Sequence, residues 1–164
     1  MFSGIVEGTG VILDIEERSE HIHWKVQLPK GSGEGLEIGA SVSLDGVCLT
    51  ATNIEDGLIG FDLIQETLQR TTLNERSIGD LVDIERALRY GEEVGGHLVS
   101  GHIMATGTIL DITYPIEQNG EYADETADIR IGIPNSLIDY IFEKGYIAID
   151  GISLTIGEVN DSGE

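Results

Sequence analysis

Two six-residue segments, DGVCLT at 45–50 and DGISLT at 150–155, repeat one order of residues: Asp-Gly, aliphatic, small polar, Leu-Thr. Asp-Gly between alternating runs specifies a tight type I′ hairpin turn, because both central residues take positive φ. With Asp45-Gly46 as the turn, Val42, Leu44, Val47 and Leu49 share one face, and Ser41, Ser43, Cys48 and Thr50 share the other. In the second copy Ile147, Ile149, Ile152 and Leu154 form the apolar face, leaving Ala148, Ser153 and Thr155 opposite. Such a row of hydroxyls and a thiol can hold a polar ligand, and a solvated strand face carries the same residue types. The pattern alone leaves both readings open.

The segment GGHLVSGHIMATG places His97 and His102 five apart, on opposite faces of a strand, which argues against a shared metal. With one cysteine and no His-Glu-x-x-His, a zinc site has no support. His97 reads as a structural contact beside a domain junction. His102 is open between a structural role and proton transfer near neutrality, for which imidazole is suited. In DLIQET at 62–67, Glu66 and Thr67 stand at a helix start, where they either cap the helix or hold a polar ligand edge. Lys144 precedes Gly145, a position that suits a solvated lysine or one at a helix C-terminus. The glycines of GSGEG at 31–35 lack the strand-to-helix context of a dinucleotide fingerprint.

The elements that must position these residues come from self-comparison. GTGVILDI at 8–15 matches ATGTILDI at 105–112, an offset of 97, while the Asp-Gly segments match at an offset of 105. The extra eight positions fall to the loop around TYPIEQNGEYADET. A period near one hundred residues has domain size, so the chain divides into a first unit, 1–96, and a second, 97–164. Strands are expected near 2–7, 9–16, 22–28, 41–45, 47–54, 58–63 and 81–86, with IQETLQRTTL as the helical interruption. PNSLIDYIFEKG predicts a short helix capped by Asn135 or Ser136 and ended by Gly145. Short, evenly spaced strands and 22 glycines argue for an all-β protein built on a small closed antiparallel barrel.

Thirty acidic residues against nine basic give a net charge of −21, which repels nucleic acid and anionic membrane surfaces. A single cysteine, Cys48, excludes an intramolecular disulfide and suits a reducing cytoplasm. No signal-peptide pattern opens the chain, and no apolar run approaches the ~18 residues of a membrane span.

The blocks MFSGIVEGTG, GASVSLDGVCLTAT, GFDLIQETLQRTTL, GDLVDIERAL, GGHLVSGHI and KGYIAIDGISLTIGEV resemble the riboflavin synthases, two-barrel enzymes related to the lumazine proteins. The resemblance implies two similar six-stranded Greek-key barrels and a homotrimer held by a C-terminal helix. It implies one 6,7-dimethyl-8-ribityllumazine per barrel, at sites formed where the first barrel of one subunit meets the second of a neighbour. The reaction would be a transferase dismutation giving riboflavin and 5-amino-6-ribitylaminouracil, with no metal or redox cofactor. By position, the first barrel would contact its ligand through Gly4, Ile5 and Val6, through Cys48, Leu49 and Thr50, and through Asp62, Leu63, Ile64, Gln65, Glu66 and Thr67. The second would use Gly101, His102, Ile103, Lys144, Ser153, Leu154 and Thr155. His102, Ser41, Cys48 and Thr155 would lie near the reacting atoms, with Phe2 closing the site. A non-catalytic lumazine or flavin carrier is the alternative within this fold. Counterparts of Asp62–Thr67 and of GDLVDIERAL do not follow Val159, so the second barrel is expected to be truncated.

Overall fold

The computed structural model describes residues 1–114 and 126–160. In the first half, β1 (Gly8–Glu17), β2 (His21–Gln27), β3 (Ser41–Leu44), β4 (Val47–Glu55), β5 (Leu58–Ile64) and β6 (Leu81–Arg86) close an antiparallel barrel. Its strand order, β1-β2-β5-β4-β3-β6, is a Greek key. Alternation dictates the interior: Ile12, Trp24, Val26, Val42, Leu44, Leu49, Ala51, Ile59, Phe61, Leu63, Val82 and Ile84 point inward and are buried. The helical interruption is α1 (Gln65–Arg70) followed by a 3-10 turn at Thr72–Glu75.

Three Asp-Gly pairs make the tight turns, with φ of 46° and 81° at Asp45-Gly46, 48° and 82° at Asp56-Gly57, and 48° and 87° at Asp150-Gly151. Positive φ at both central residues is what type I′ requires, and it sets the hairpin registers. Ser41 pairs with Thr50, Val42 with Leu49, Ser43 with Cys48 and Leu44 with Val47. Both faces are as the alternation predicts.

The second half repeats the first strand for strand as far as it is described. β7 (Thr108–Thr113) pairs β8 (Asp128–Gly132), and β9 (Tyr146–Ile149) pairs β10 (Ile152–Thr155). Ile12↔Val26 and Asp14↔Lys25 flank a bulge in β1–β2, and Ile109↔Ile131 and Asp111↔Arg130 flank its copy in β7–β8. The offset is 97 on β7 and 105 on β8, so the insertion lies between Thr113 and Asp128. Most of the loop expected to absorb it lies outside the described residues. Ile12 is fully buried and its counterpart Ile109 is 62% exposed; Trp24 is 2% exposed and its counterpart Ile129 is 49% exposed. Inward-type residues of the second half thus stand open among the described residues.

Two expectations differ from the structure. Residues 2–7 form an arm, not a strand, whose one bridge joins Phe2 to Val99. The cause is Gly4, at φ +74°, together with the Glu85 carboxylate, which takes the amides of Ser3 and Gly4. The segment 134–145 forms a 3-10 run at Asn135–Tyr140, preceded by Pro134 with no side-chain cap, and Ile141 is already extended. So short a segment lacks the capping that offsets helix nucleation.

Candidate functional site

The hydroxyl face of the first hairpin lies on the outside of the barrel. Ser41 and Thr50 are cross-strand partners there, as are Ser43 and Cys48, and Ser43 is also partnered with Glu85 of β6. Continuing the Ala51↔Phe61 register brings Thr50 beside Asp62 on β5, whose partner on β2 is His23. A band of polar side chains therefore crosses β2, β5, β4 and β3 over an apolar core.

Each half lends a segment to the other half's hairpin. The Cys48 amide donates to the Gly101 carbonyl at 2.9 Å, and the Ser153 amide donates to the Gly4 carbonyl at 2.8 Å. Gly101 has φ +76°, matching Gly4. A Cβ on Gly101 would lie 2.6 Å from the Cys48 Cβ, and one on Gly4 would lie 2.5 Å from the Ser153 Cβ. Only glycine permits such an approach. Ile103 packs against the first barrel's core. The resemblance grouped Gly4–Val6 with the first barrel and Gly101–Ile103 with the second; the structure seats Gly4 on the second hairpin and Gly101 on the first, with Ile103 against the first barrel's core. The two hairpin tips also abut: a Cβ on Gly46 would collide with the backbone of Gly151.

Two buried acids fix the first half's side of this junction. Glu85 Oε1 accepts from the Ser3 amide at 2.5 Å and from Ser3 Oγ at 2.7 Å, and Oε2 accepts from the Gly4 amide at 3.1 Å. Asp45 accepts from the Asp83 amide at 2.7 Å and from Arg76 Nη2 at 2.9 Å. Burial pushes the Asp45 carboxyl above its ordinary value against the pull of the Asp83 amide and Arg76, and the Asp150 charge adds to the rise. A raised acid contributes stability that is full below the unfolded carboxylate pKa and is lost as pH climbs through the folded one. Arg76→Met removes the compensating guanidinium. Because Arg76 is partly solvated, the expected cost at neutral pH is about 2 kcal/mol. Urea titrations should show the deficit shrinking toward about pH 4; a pH-independent deficit would contradict this.

In the second half His97 does more than sit at the junction. Its amide donates to the Ser3 carbonyl at 2.8 Å, its Nδ1 lies 2.6 Å from Ser153 Oγ, and its ring stacks on Tyr146 at 4.2 Å between centroids. A serine hydroxyl paired with an imidazole is a unit that can give or take a proton. The sequence signal was its position three residues before Ser100-Gly101, on the segment that reaches across.

The remaining expected residues divide. Phe2 is buried at the crossing of the two segments. Leu49 and Leu63 point into the core, so only their backbone can serve a ligand on the outer face. Ser41 and Cys48 are half-buried on that face, and Thr50 and Ile64 are exposed. Gln65 and Glu66 are exposed, with Glu66 paired to Arg70, while the Thr67 carbonyl accepts from Thr71 Oγ1. His102 is exposed, its amide bonded to Ser100 Oγ. Ile5 and Glu85 line a cavity of about 460 Å³ beneath the arm, and Val6 is half-buried. Leu154 and Thr155 are exposed on β10, and the exposed Lys144 takes φ 63° with its amide on the Ile156 carbonyl. No helix among the described residues is long and apolar enough to cross a membrane.

A closed Greek-key barrel, a second half repeating its registers and exchanged segments over two hydroxyl-bearing hairpins define a duplicated small-ligand-binding β protein. The lumazine binding domain model matches residues 3–87 and 100–163. Riboflavin synthase of Escherichia coli K12 is 44% identical over 97% of this chain and 71% of that protein. The riboflavin synthase of Buchnera aphidicola subsp. Baizongia pistaciae is 38% identical over 99% of this chain and 73% of its own length. Among solved structures, LumP complexed with riboflavin is 29% identical with a TM-score of 0.83, over 98% of this chain and 83% of that one. LumP complexed with 6,7-dimethyl-8-(1'-D-ribityl) lumazine gives 28% and 0.81, over 98% and 82%. The chain belongs to the riboflavin synthase family of lumazine-binding proteins.

Proposed function

We propose that this protein is a riboflavin synthase: it transfers a four-carbon unit between two molecules of 6,7-dimethyl-8-ribityllumazine, giving riboflavin and 5-amino-6-ribitylaminouracil. The two products together contain the atoms of the two substrates, so the reaction balances without an oxidant, a reductant or net water. The carrying observation is the pair of equivalent seats, Gly101 on Cys48 and Gly4 on Ser153, which suits two identical ligands. Backbone groups of the crossing segments would read the heterocycle edge, and Ser41, Thr50, Asp62 and Thr155 the ribityl chain. Buried heterocycle edges left unpaired cost binding, so these bonds confer specificity.

Holding the two ligands together supplies much of the acceleration, through proximity and orientation. One lumazine loses a C7-methyl proton, and the resulting carbanion attacks the other ring, which a nucleophile has activated. The Ser153–His97 pair fits the proton transfer, and Cys48 is the corresponding group on the other hairpin. A homotrimer, with sites completed by a neighbouring subunit, is part of the proposal. Ser153→Ala should lower kcat about a hundredfold, with KM changed by no more than about threefold, as for a group that acts in the transition state. Steady-state kinetics showing an effect on KM alone would reduce Ser153 to a binding contact. The carrier reading, favoured by the LumP likeness, predicts binding with no turnover.

A further inference from the structure

His21 and His23 stand on the outer face of β2, opposite Ile64 and Asp62, and the mechanism above uses neither. His23 is 7% exposed, and its Nδ1 lies 2.6 Å from Asp62 Oδ1. His21 Nε2 is 3.5 Å from the same oxygen and is a buried atom without a hydrogen bond, as is Thr52 Oγ1. A Cβ on Gly60 would lie 2.9 Å from His23 Cε1 and 3.1 Å from Thr52 Oγ1. The glycine leaves the room that the imidazole fills on its way to Asp62. His23 bonds one carboxylate oxygen and His21 stands beside it unbonded, so the trio fixes Asp62 and is not a metal cage. Nearby charges are committed elsewhere: Glu16, opposite His23, pairs with Arg18, and Asp14 pairs with Lys25.

Among the described residues, the second half does not repeat this pair of histidines. The repeated register places Asp128, opposite Thr113, where the first half has His23 opposite Glu16, and Thr126 falls at the position of His21. A carboxylate is an acceptor only, and a polyol chain offers donors. Asp62 Oδ2 has no partner among the described residues, and it lies at the end of the polar band that carries the unpaired Thr52 hydroxyl. The part of that band at Cys48 is covered by Gly101. We infer that His23, backed by His21, is a positioning residue that aims Asp62 at the ligand's polyol hydroxyls in the first-barrel site only, so that two identical ligands are held by unlike means. This rests on the lumazine- and flavin-binding function proposed above.

The test compares riboflavin with lumiflavin, which has the same ring system without the polyol, by fluorescence titration of the whole protein. His23→Phe keeps a ring but removes the donor. It should weaken riboflavin about tenfold, the worth of one charge-assisted hydrogen bond, and leave lumiflavin within about twofold. His23→Asn, whose amide nitrogen stands in for Nδ1, should restore riboflavin to within about threefold of the parent. Equal weakening of both flavins, no weakening of either, or an Asn variant no better than Phe would overturn the inference while leaving flavin binding in place. A parent protein that binds neither flavin would overturn the proposed function and the inference with it.

Discussion

Gly101→Val should lower kcat/KM for the ribityllumazine by more than about a hundredfold while leaving the first barrel's β-structure in place. The added Cβ would meet the Cys48 Cβ at 2.6 Å, Phe2 Cε2 at 2.9 Å and the Cys48 amide nitrogen at 3.0 Å, at a residue with φ +76°. A β-branched residue there costs about 1–3 kcal/mol in backbone strain and about as much again in overpacking. None of the three contacts is a flexible side-chain end free to move away. The cheapest relief is for segment 99–103 to leave the hairpin, which opens the first site. Gly4→Val is the equivalent lesion at Ser153. Turnover within about threefold of the parent, with unchanged circular dichroism, would show that the seat of Gly101 on Cys48 is not part of the site.

Phe2→Ala should cost about 3–5 kcal/mol of stability, a large part of the ~5–15 kcal/mol that a domain of this kind possesses. The ring is 1% exposed, and the backbone of Phe2 exchanges two hydrogen bonds with Val99, at 2.8 and 2.9 Å. Its edge stands against Gly101, so its loss leaves a cavity where the two segments cross. Both seats depend on that crossing, and KM should rise as stability falls. Urea denaturation showing less than about 1 kcal/mol of change would contradict the packing described here.

The hairpins were readable in the sequence because a period of two and an Asp-Gly turn leave one register that buries Val42, Leu44, Val47 and Leu49. The duplication was equally plain, and the structure extends it to a bulge copied from Ile12/Asp14 to Ile109/Asp111. Which segment serves which hairpin was not readable. FSGI and VSGH are local look-alikes, and their exchange is decided by long-range partners, Cys48 for Gly101 and Ser153 for Gly4. The role of His97 was hidden for the same reason, since Ser153 is far away in sequence. Residues 2–7 alternate well enough to suggest a strand, and only the buried Glu85 carboxylate, which claims the Ser3 and Gly4 amides, turns them into an arm. Nothing local to β2 marks His23. Its partner Asp62 comes from β5, a neighbour in the barrel and not in the chain.

The most direct measurement supplies the protein with 6,7-dimethyl-8-ribityllumazine alone, in metal-chelated buffer without flavin or nicotinamide, and follows both products by chromatography. Riboflavin and 5-amino-6-ribitylaminouracil should form in equal amounts, with two substrate molecules consumed for each riboflavin formed. Saturable binding of the ribityllumazine with no riboflavin produced would contradict the proposed function.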